Sequence, residues 1–424
     1  MLSRPFVVLW FSMLVAMVGI SMVSPLLPVY VQDDLGGPAV AVALSFSGLS
    51  IAQIVAAPFV GRLGDRFGPK RFIVIGFVVY AMGAFGYLLA SHWLLVIIFR
   101  VLSGIGAAGV FPMSLAYVGR LAPEGREGKY MGWFSVAQVT GFGLGPLFGG
   151  GLRDLFGLDF AFTTMGLMLG GTALAAFVLL PEQRAPVRSA TSEEPVALPF
   201  SALIRRPSVQ ASTLLVGLTA LGMGATMSWL AVYVIDDEGL GTDSALFVGV
   251  LMSSRSLINA FLQPWTGPLA DRMNRIVLVT VGLAVAGVAQ LTVPFVPPAL
   301  FDTSIFGAGL TIAPWVLVAL IVAGVGEAMS QPAQQAIFVQ VGRRVGMGSL
   351  MGLNSMGMSL GFLSGSLLAA GVKSVFGIES VFIMAGGATL LGLLVFFALL
   401  SRARDELMPP RAAVGERVSA EAAG

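Results

Sequence analysis

Two apolar stretches are joined by Gly61-Arg-Leu-Gly-Asp-Arg-Phe-Gly-Pro-Lys-Arg71, and a worn copy, Gly267-Pro-Leu-Ala-Asp-Arg-Met-Asn-Arg275, returns 206 residues later. No other feature restricts the fold as much. A charged turn repeated at that distance implies two homologous halves, each placing the same loop on the same side of whatever the apolar stretches cross. Fainter echoes agree. Val29-Tyr-Val-Gln-Asp-Asp34 returns as Val232-Tyr-Val-Ile-Asp-Asp237, and Gly104-Ile-Gly106 with Pro112 returns as Gly324-Val-Gly326 with Pro332. Gly132, Gly141 and Gly145 return as Gly352, Gly361 and Gly365, and these last two sets share an offset of 220. One match among small residues is weak. Together they predict a six-plus-six duplication.

The stretches cross a bilayer. With 56% apolar and 11% charged residues and a mean hydropathy of +0.90, the chain carries more apolar surface than a soluble protein of this length can hide. A helix needs about 20 apolar residues to span the hydrocarbon core. Twelve such spans are read: 6–31, 39–60, 71–90, 93–119, 129–151, 160–180, 209–234, 245–268, 276–296, 312–340, 347–371 and 378–400. The first is too long for a signal peptide, has Pro25 and Pro28 near its end, and shows no small-residue cleavage site, so it is expected to be retained. The expected fold is an all-α membrane protein of twelve transmembrane helices in two pseudo-symmetric six-helix bundles, 1–180 and 208–402. The polar, Pro-rich 181–207 reads as a cytoplasmic linker, with Phe200 to Arg206 on the membrane surface, and 403–424 as a disordered tail.

Basic residues set the orientation. With the N-terminus inside, inner loops and tails hold 20 of the 24 Lys and Arg, among them Arg62, Arg66, Lys70, Arg71, Arg120, Arg126, Lys129, Arg205, Arg206, Arg272, Arg275, Arg343 and Arg344. Only Arg153 and Lys373 fall outside, so both termini are read as cytoplasmic.

Several function classes drop out. A formal net charge of +2 argues against a nucleic-acid partner. The chain has no Cys, and its lone His92 has no second ligand nearby, so no metal and no cofactor is expected. No phosphate-binding Gly-x-x-x-x-Gly-Lys-Ser/Thr loop is present, which removes ATP hydrolysis as the energy source. No nucleophile–base set is visible, so the chain is not read as an enzyme.

The chain resembles the major facilitator superfamily over nearly its whole length, and the twelve-span drug:proton antiporter branch in particular. Gly61-x-Leu-x-Asp65-Arg66-x-Gly68-x-Lys70-Arg71 is similar to the superfamily's loop between spans two and three, and Asp271 and Arg272 belong to its worn copy. Arg100-x-x-Ser-Gly104-x-Gly106-Ala-Ala108 resembles the span-four motif, with Ser103 where Gln is usual. Gly141-x-x-x-Gly145-Pro146-x-x-Gly149-Gly150 resembles the span-five motif of antiporters, and Gly19-x5-Pro25-x-x-Pro28 the first span of twelve-span exporters. The resemblance implies a monomeric secondary transporter of the inner or plasma membrane, its partners a small-molecule substrate and protons, working by alternating access.

Each candidate residue has two physical readings. Asp65 can accept hydrogen bonds from the N-terminus of a neighbouring helix. In the family that helix is span eleven, here near Met347 to Leu350, and the contact would shut the cytoplasmic side. The other reading of Gly61–Arg71 is a basic topology anchor. Gly141, Gly145 and Gly149 recur every four residues and let a neighbour pack against backbone, while Pro146 frees a carbonyl. That motif is either a bend point sealing the pathway or plain tight packing.

Three charges fall inside spans: Arg100, Arg255 and Glu327. Charges at that depth face a polar cavity or a partner. Glu327 shares a helix face with Gln331, Gln334 and Gln335; Arg255 shares one with Asn259 and Gln263; Arg100 goes with Ser103 and Tyr117. Glu327 either carries the coupling proton or balances a cationic substrate. Alternatively it forms a static pair with Arg255. Arg100 is either a relay or substrate contact, or a brace to backbone carbonyls. Met13, Met17, Met223, Met227 and Trp229 either line an adaptable cavity or simply pack.

The reading that follows is proton-coupled efflux of small amphipathic or lipophilic compounds. The alternatives are a sugar or organic-anion symporter or facilitator of the same fold, a lipid translocator, and a non-transporting membrane sensor.

Overall fold

The structure is a computed structural model, and it describes residues 3–183, 200–235, 239–241, 245–295, 301–305 and 308–402. Among these run α1 (Arg4–Val29), α2 (Ala39–Phe67), α3 (Pro69–Leu88), α4 (Trp93–Leu121), α5 (Glu127–Phe156) and α6 (Leu158–Leu179). The short α7 (Phe200–Arg205) follows, then α8 (Pro207–Ile235), α9 (Ala245–Arg272), α10 (Arg275–Thr292), α11 (Pro314–Val345), α12 (Met347–Phe376) and α13 (Ser380–Arg402). The twelve long helices coincide with the twelve spans read from sequence.

Two differences stand out. Ten of the long helices are long and apolar enough to cross a membrane by composition alone, and α5 and α9 are not among them. Glycines dilute the apolar content of α5, and Arg255, Asn259 and Gln263 that of α9. Both helices pack against each other between the halves, so one face of each meets protein rather than lipid. The second difference is an antiparallel hairpin, β1 (Phe301–Ile305) and β2 (Ala308–Ile312), which pairs Phe301 with Ile312 between α10 and α11. The all-α expectation did not foresee it.

Within the first half α1 packs on α5 and α6, α2 on α4, and α3 on α4 and α6; within the second, α8 packs on α12 and α13, α9 on α11, and α10 on α11 and α13. The same glycine contacts build both. A Cβ on Gly106 would come within 2.7 Å of the Gly76 carbonyl oxygen, and a Cβ on Gly282 within 2.5 Å of that of Gly326. Those pairs are duplicates of one another, so the repeat is one of packing as well as letters.

The halves meet along two seams, α2 on α12 and α5 on α9. Side-chain hydrogen bonds between the halves, among the described residues, run from Gln53–Ser355 near mid-span to the end that carries the basic turns. The structure is therefore closed at its basic end. Large apolar side chains such as Phe59, Leu147, Leu174, Phe261 and Leu367 point outward, each more than half exposed, as a bilayer-facing surface requires.

Of the expected linker, residues 181–183 lie back on the first half: Gln183 donates to the Tyr117 carbonyl (3.3 Å) and Glu182 pairs with Arg71 (3.4 Å). Residues 184–199 and 403–424, including the expected disordered tail, lie outside the described residues, as do Asp236 and Asp237 of the repeat. The segment expected on the membrane surface forms α7, whose Leu203 is buried.

Candidate functional site

The duplicated turn brings two carboxylates to two helix starts. Asp65, at the end of α2, accepts from the backbone N–H of Gly348 (2.6 Å) and Ser349 (2.7 Å) in the first turn of α12. Arg120 of α4 donates to the same carboxylate at 3.0 Å. Gly68 makes the turn possible. It alone separates α2 from α3, at φ 89°, a conformation glycine adopts without strain. In the copy, Asn274 takes that place and caps α10 through Ile276 N–H (3.0 Å). Arg66 lies over the Phe67 ring, and Arg272 is exposed.

Asp271 does the reciprocal work. Its Oδ1 accepts from Gly128 N–H (2.7 Å) and its Oδ2 from Lys129 N–H (2.8 Å), both in the first turn of α5. Gly61 seats against Gly348 and Gly352 of α12, and Gly267 against Gly128 and Gly132 of α5, leaving no room for side chains. Around Asp271 the second seam adds a network of its own. Glu127, 1% exposed, accepts from Arg275 (2.8 Å) and Arg343 (2.7 Å), and Arg275 also lies 3.5 Å from Asp271. Asp271 sits beyond the 245–268 span. Burial pushes its carboxyl above the ordinary range, against the pull of the Lys129 and Gly128 amides and of Arg275, with Glu127 adding to the push.

Deeper in, the two halves part company chemically. A Cβ on Gly104 would meet Ala52 Cβ at 2.8 Å beside the Leu49 backbone, and one on Gly324 would approach the Arg255 carbonyl oxygen to 2.6 Å, so Leu49 and Arg255 are duplicate positions. By the same two offsets Gln53 matches Asn259, Ala57 matches Gln263, Ala107 matches Glu327, Phe111 matches Gln331 and Leu115 matches Gln335. A largely apolar stripe in the first half is a polar ladder in the second.

That ladder is fully connected. Arg255 grips Glu327 through Nε (3.2 Å) and, more closely, through Nη2 to the other carboxylate oxygen. Asn259 Nδ2 donates to Glu327 Oε2 (3.4 Å), and Gln263 Nε2 donates to both Asn259 Oδ1 (2.6 Å) and Gln331 Oε1 (2.9 Å). Arg255 is 3% and Glu327 14% exposed at the side chain, so the carboxylate is the partner nearer to open space. A bidentate, charge-assisted pair of this kind is strong and oriented. Gln335 accepts from Ser135 of the other half (3.5 Å), while Gln334 is buried one turn along, outside the ladder.

Arg100 is not brought to Glu327. It lies over the Phe46 ring (5.1 Å) beside Tyr80, buried, with Nε lacking an acceptor and no ion pair among the described residues. Gly141, Gly145 and Gly149 pack on α1: a Cβ at each would approach the carbonyl oxygens of Leu14, Val18 and Met22 to 2.7, 2.5 and 2.6 Å. Pro146 is half-buried within α5, and Gly150 faces open space. Among the described residues no cluster could hold a metal ion.

Sequence reasoning missed Glu127 and did not assign partners to Arg120, Arg275 and Arg343. An acid in the first turn of a helix is ordinary at any N-terminus, so nothing in the letters set Glu127 apart. The available signal was its place beside Gly128, the duplicate of Gly348.

Comparison with known proteins agrees with this architecture. An uncharacterized MFS-type transporter of Methanocaldococcus jannaschii is 26% identical over 90% of this chain and 94% of its own. The multidrug resistance protein MdtG of Proteus mirabilis is 26% identical over 93% of each chain. The quinolone resistance protein NorA of Staphylococcus aureus is 29% identical over 36% of this chain and 39% of its own. The crystal structure of the human organic anion transporter MFSD10 (TETRAN) superposes with a TM-score of 0.76 over 93% of this chain and 99% of that one, at 19% identity, which speaks to fold alone. The superfamily's sequence model matches residues 9–349 and 301–422. A multi-pass membrane protein with this duplicated fold and matched along this length, the chain belongs to the Major Facilitator Superfamily.

Proposed function

We propose that this protein is a proton-coupled exporter of small amphipathic or lipophilic compounds, of the superfamily's twelve-span drug:proton branch. The observation that carries this reading is the Arg255–Glu327 pair, set at positions where the duplicate half has Leu49 and Ala107. Packing alone does not need a buried ion pair there, since the first half packs without one. A carboxylate held by a guanidinium but edging toward open space can exchange that partner for a proton. MdtG and NorA, relatives named for drug resistance, support the choice of substrate.

In this reading the basic end, with both termini, faces the cytoplasm, and the Asp65 and Asp271 contacts are latches that keep it shut. The closed basic end then leaves the central site to the opposite side. Protonation of Glu327 weakens its hold on Arg255 and Asn259, and the two bundles rock about the centre.

A second reading has one observation of its own. Arg100 is a buried cation with no carboxylate partner among the described residues, as an organic-anion transporter of the same fold would use.

The test uses everted vesicles with an imposed proton gradient and a panel of cationic, neutral and anionic compounds. Wild type and Glu327→Gln run side by side. Gradient-driven accumulation of lipophilic compounds, lost in the variant, is expected. Accumulation unchanged in Glu327→Gln removes Glu327 from coupling, and transport of anions alone transfers the function to the second reading.

A further inference from the structure

Gln263 sits where the halves touch and where the ladder to Glu327 begins. Its side chain is fully buried, and its Nε2 faces two acceptors, Asn259 Oδ1 and Gln331 Oε1, while its Oε1 faces no donor. An ionised Glu327 only accepts, so Asn259 turns its NH2 to the carboxylate (3.4 Å) and its Oδ1 to Gln263, and this sets the donor direction of Gln263. Donors point one way, from Gln263 through Asn259 to the carboxylate, and each bond polarises the next.

The backbone of the same residue belongs to the seam. Gly132 of α5 lies against the Gln263 carbonyl oxygen, where a Cβ would come within 2.9 Å, and two turns further along α9 Asp271 holds Gly128 and Lys129. At the duplicate position Ala57 makes the same backbone contact with Gly352 and contributes no polar group. The seam therefore does not require an amide at 263. The ladder does.

We infer that Gln263 is a positioning residue that ties protonation of Glu327 to closure of the α5–α9 seam. This rests on Glu327 being the proton carrier. While α5 is seated, Gly132 holds the Gln263 backbone in place, Asn259 stays aimed, and the carboxylate keeps its donor. When α5 leaves, Gln263 is free to swing and the donor chain to Glu327 breaks. Linkage makes the effect reciprocal: a neutral Glu327 releases Asn259 and loosens the seam. Arg255 is the charged side chain facing Glu327. The other helices packed on α11 are α4, α5, α8, α9, α10 and α12; apart from Arg100 and Arg255 itself, they carry their charged residues toward their ends.

The chain has no Cys, so cysteines at Glu124 and Met273, exposed at the basic end of opposite halves, take spin labels specifically. The labelled pair reads the ratio of open to closed seam. Glu327→Gln stands in for the protonated acid. In the native background it is expected to raise that ratio about five-fold or more; in Gln263→Met, which keeps side-chain length, by less than about two-fold. Gln263→Leu, run in parallel, is expected to match Gln263→Met and decides the matter where one variant does not fold. An equal response in native and Gln263 backgrounds overturns the role of Gln263 and leaves Glu327 as carrier. No response in the native background overturns the carrier reading, and this inference with it.

Discussion

Asp65 and Asp271 each hold the other's half. Asp65 of the first half accepts the amides of Gly348 and Ser349 in the second, and Asp271 of the second accepts those of Gly128 and Lys129 in the first. The acceptors lie 206 residues apart and the donors 220, so the two offsets of the duplication meet across the seams. Each carboxylate satisfies two N–H groups that a helix start cannot pair internally, where the helix dipole favours negative charge.

Asp65→Asn keeps the shape but offers one acceptor and an NH2 group to two N–H donors and Arg120. Charge-assisted bonds of this kind contribute about 1.5–3 kcal/mol each. Losing one shifts an equilibrium about ten-fold, and the variant is expected to open the basic end by at least that much. Double electron–electron resonance on labels at Glu124 and Met273 reads it directly. An unchanged distance distribution would show that Asp65 is only part of a topology anchor.

The seam glycines give a sharper contrast. A Cβ on Gly128 would approach the Gly267 carbonyl oxygen to 2.5 Å, and one on Gly352 that of Ala57 to 2.5 Å, whereas Gly150 has nothing within 4 Å. Gly128→Ala and Gly352→Ala are expected to abolish both closure and transport in vesicles. Gly150→Ala should leave both intact, although Gly150 falls in the antiporter-like motif. Loss of transport in Gly150→Ala with closure preserved would point to a need at 150 that packing does not explain.

The fold was largely legible because its signals are redundant. Apolar runs of spanning length, the basic loops and the repeated glycines all report the same twelve helices, and the Asp65 and Asp271 turns survive in sequence because their backbone geometry tolerates few substitutes. The ladder was half legible: Arg255, Asn259, Gln331 and Glu327 announce themselves as polar residues at helical spacing in apolar helices. Which of them touch depends on how α9 turns against α11, and that is set by Gly324 packing on the Arg255 backbone. Arg100 shares the polarity of Arg255 but faces Phe46 and Tyr80 instead, which helix counting could not distinguish. Glu127 and its two arginines were illegible because an acid at a helix start and basic residues in inner loops are expected everywhere.

Asp271 predicts a pH effect of definite sign. Its carboxyl is raised by burial, so the folded protein binds that proton more tightly than the unfolded chain does. Its contribution is fully present below the ordinary carboxylate value and is lost as pH rises through the raised one. Relative to Asp271→Asn, the native protein should therefore gain thermal stability between about pH 7 and about pH 4. Unfolding midpoints of both in detergent across that range check it. A gap that widens with rising pH would mean that the backbone amides and Arg275 outweigh burial.

The Arg255–Glu327 pair separates stability from function. Removing one member of a buried pair costs about 3–5 kcal/mol because the survivor is left charged and unpaired, while replacing both with apolar residues is often close to neutral. The two survivors are not equivalent. Arg255 is 3% exposed and permanently charged, whereas Glu327 is 14% exposed and can take up a proton. Glu327→Leu should thus destabilise most, Arg255→Met less, and the double variant least, with transport absent in all three. Unfolding midpoints measured beside vesicle transport test both halves of the statement. A double variant that is stable and still drives gradient-dependent export would reduce the pair to a fastening between α9 and α11.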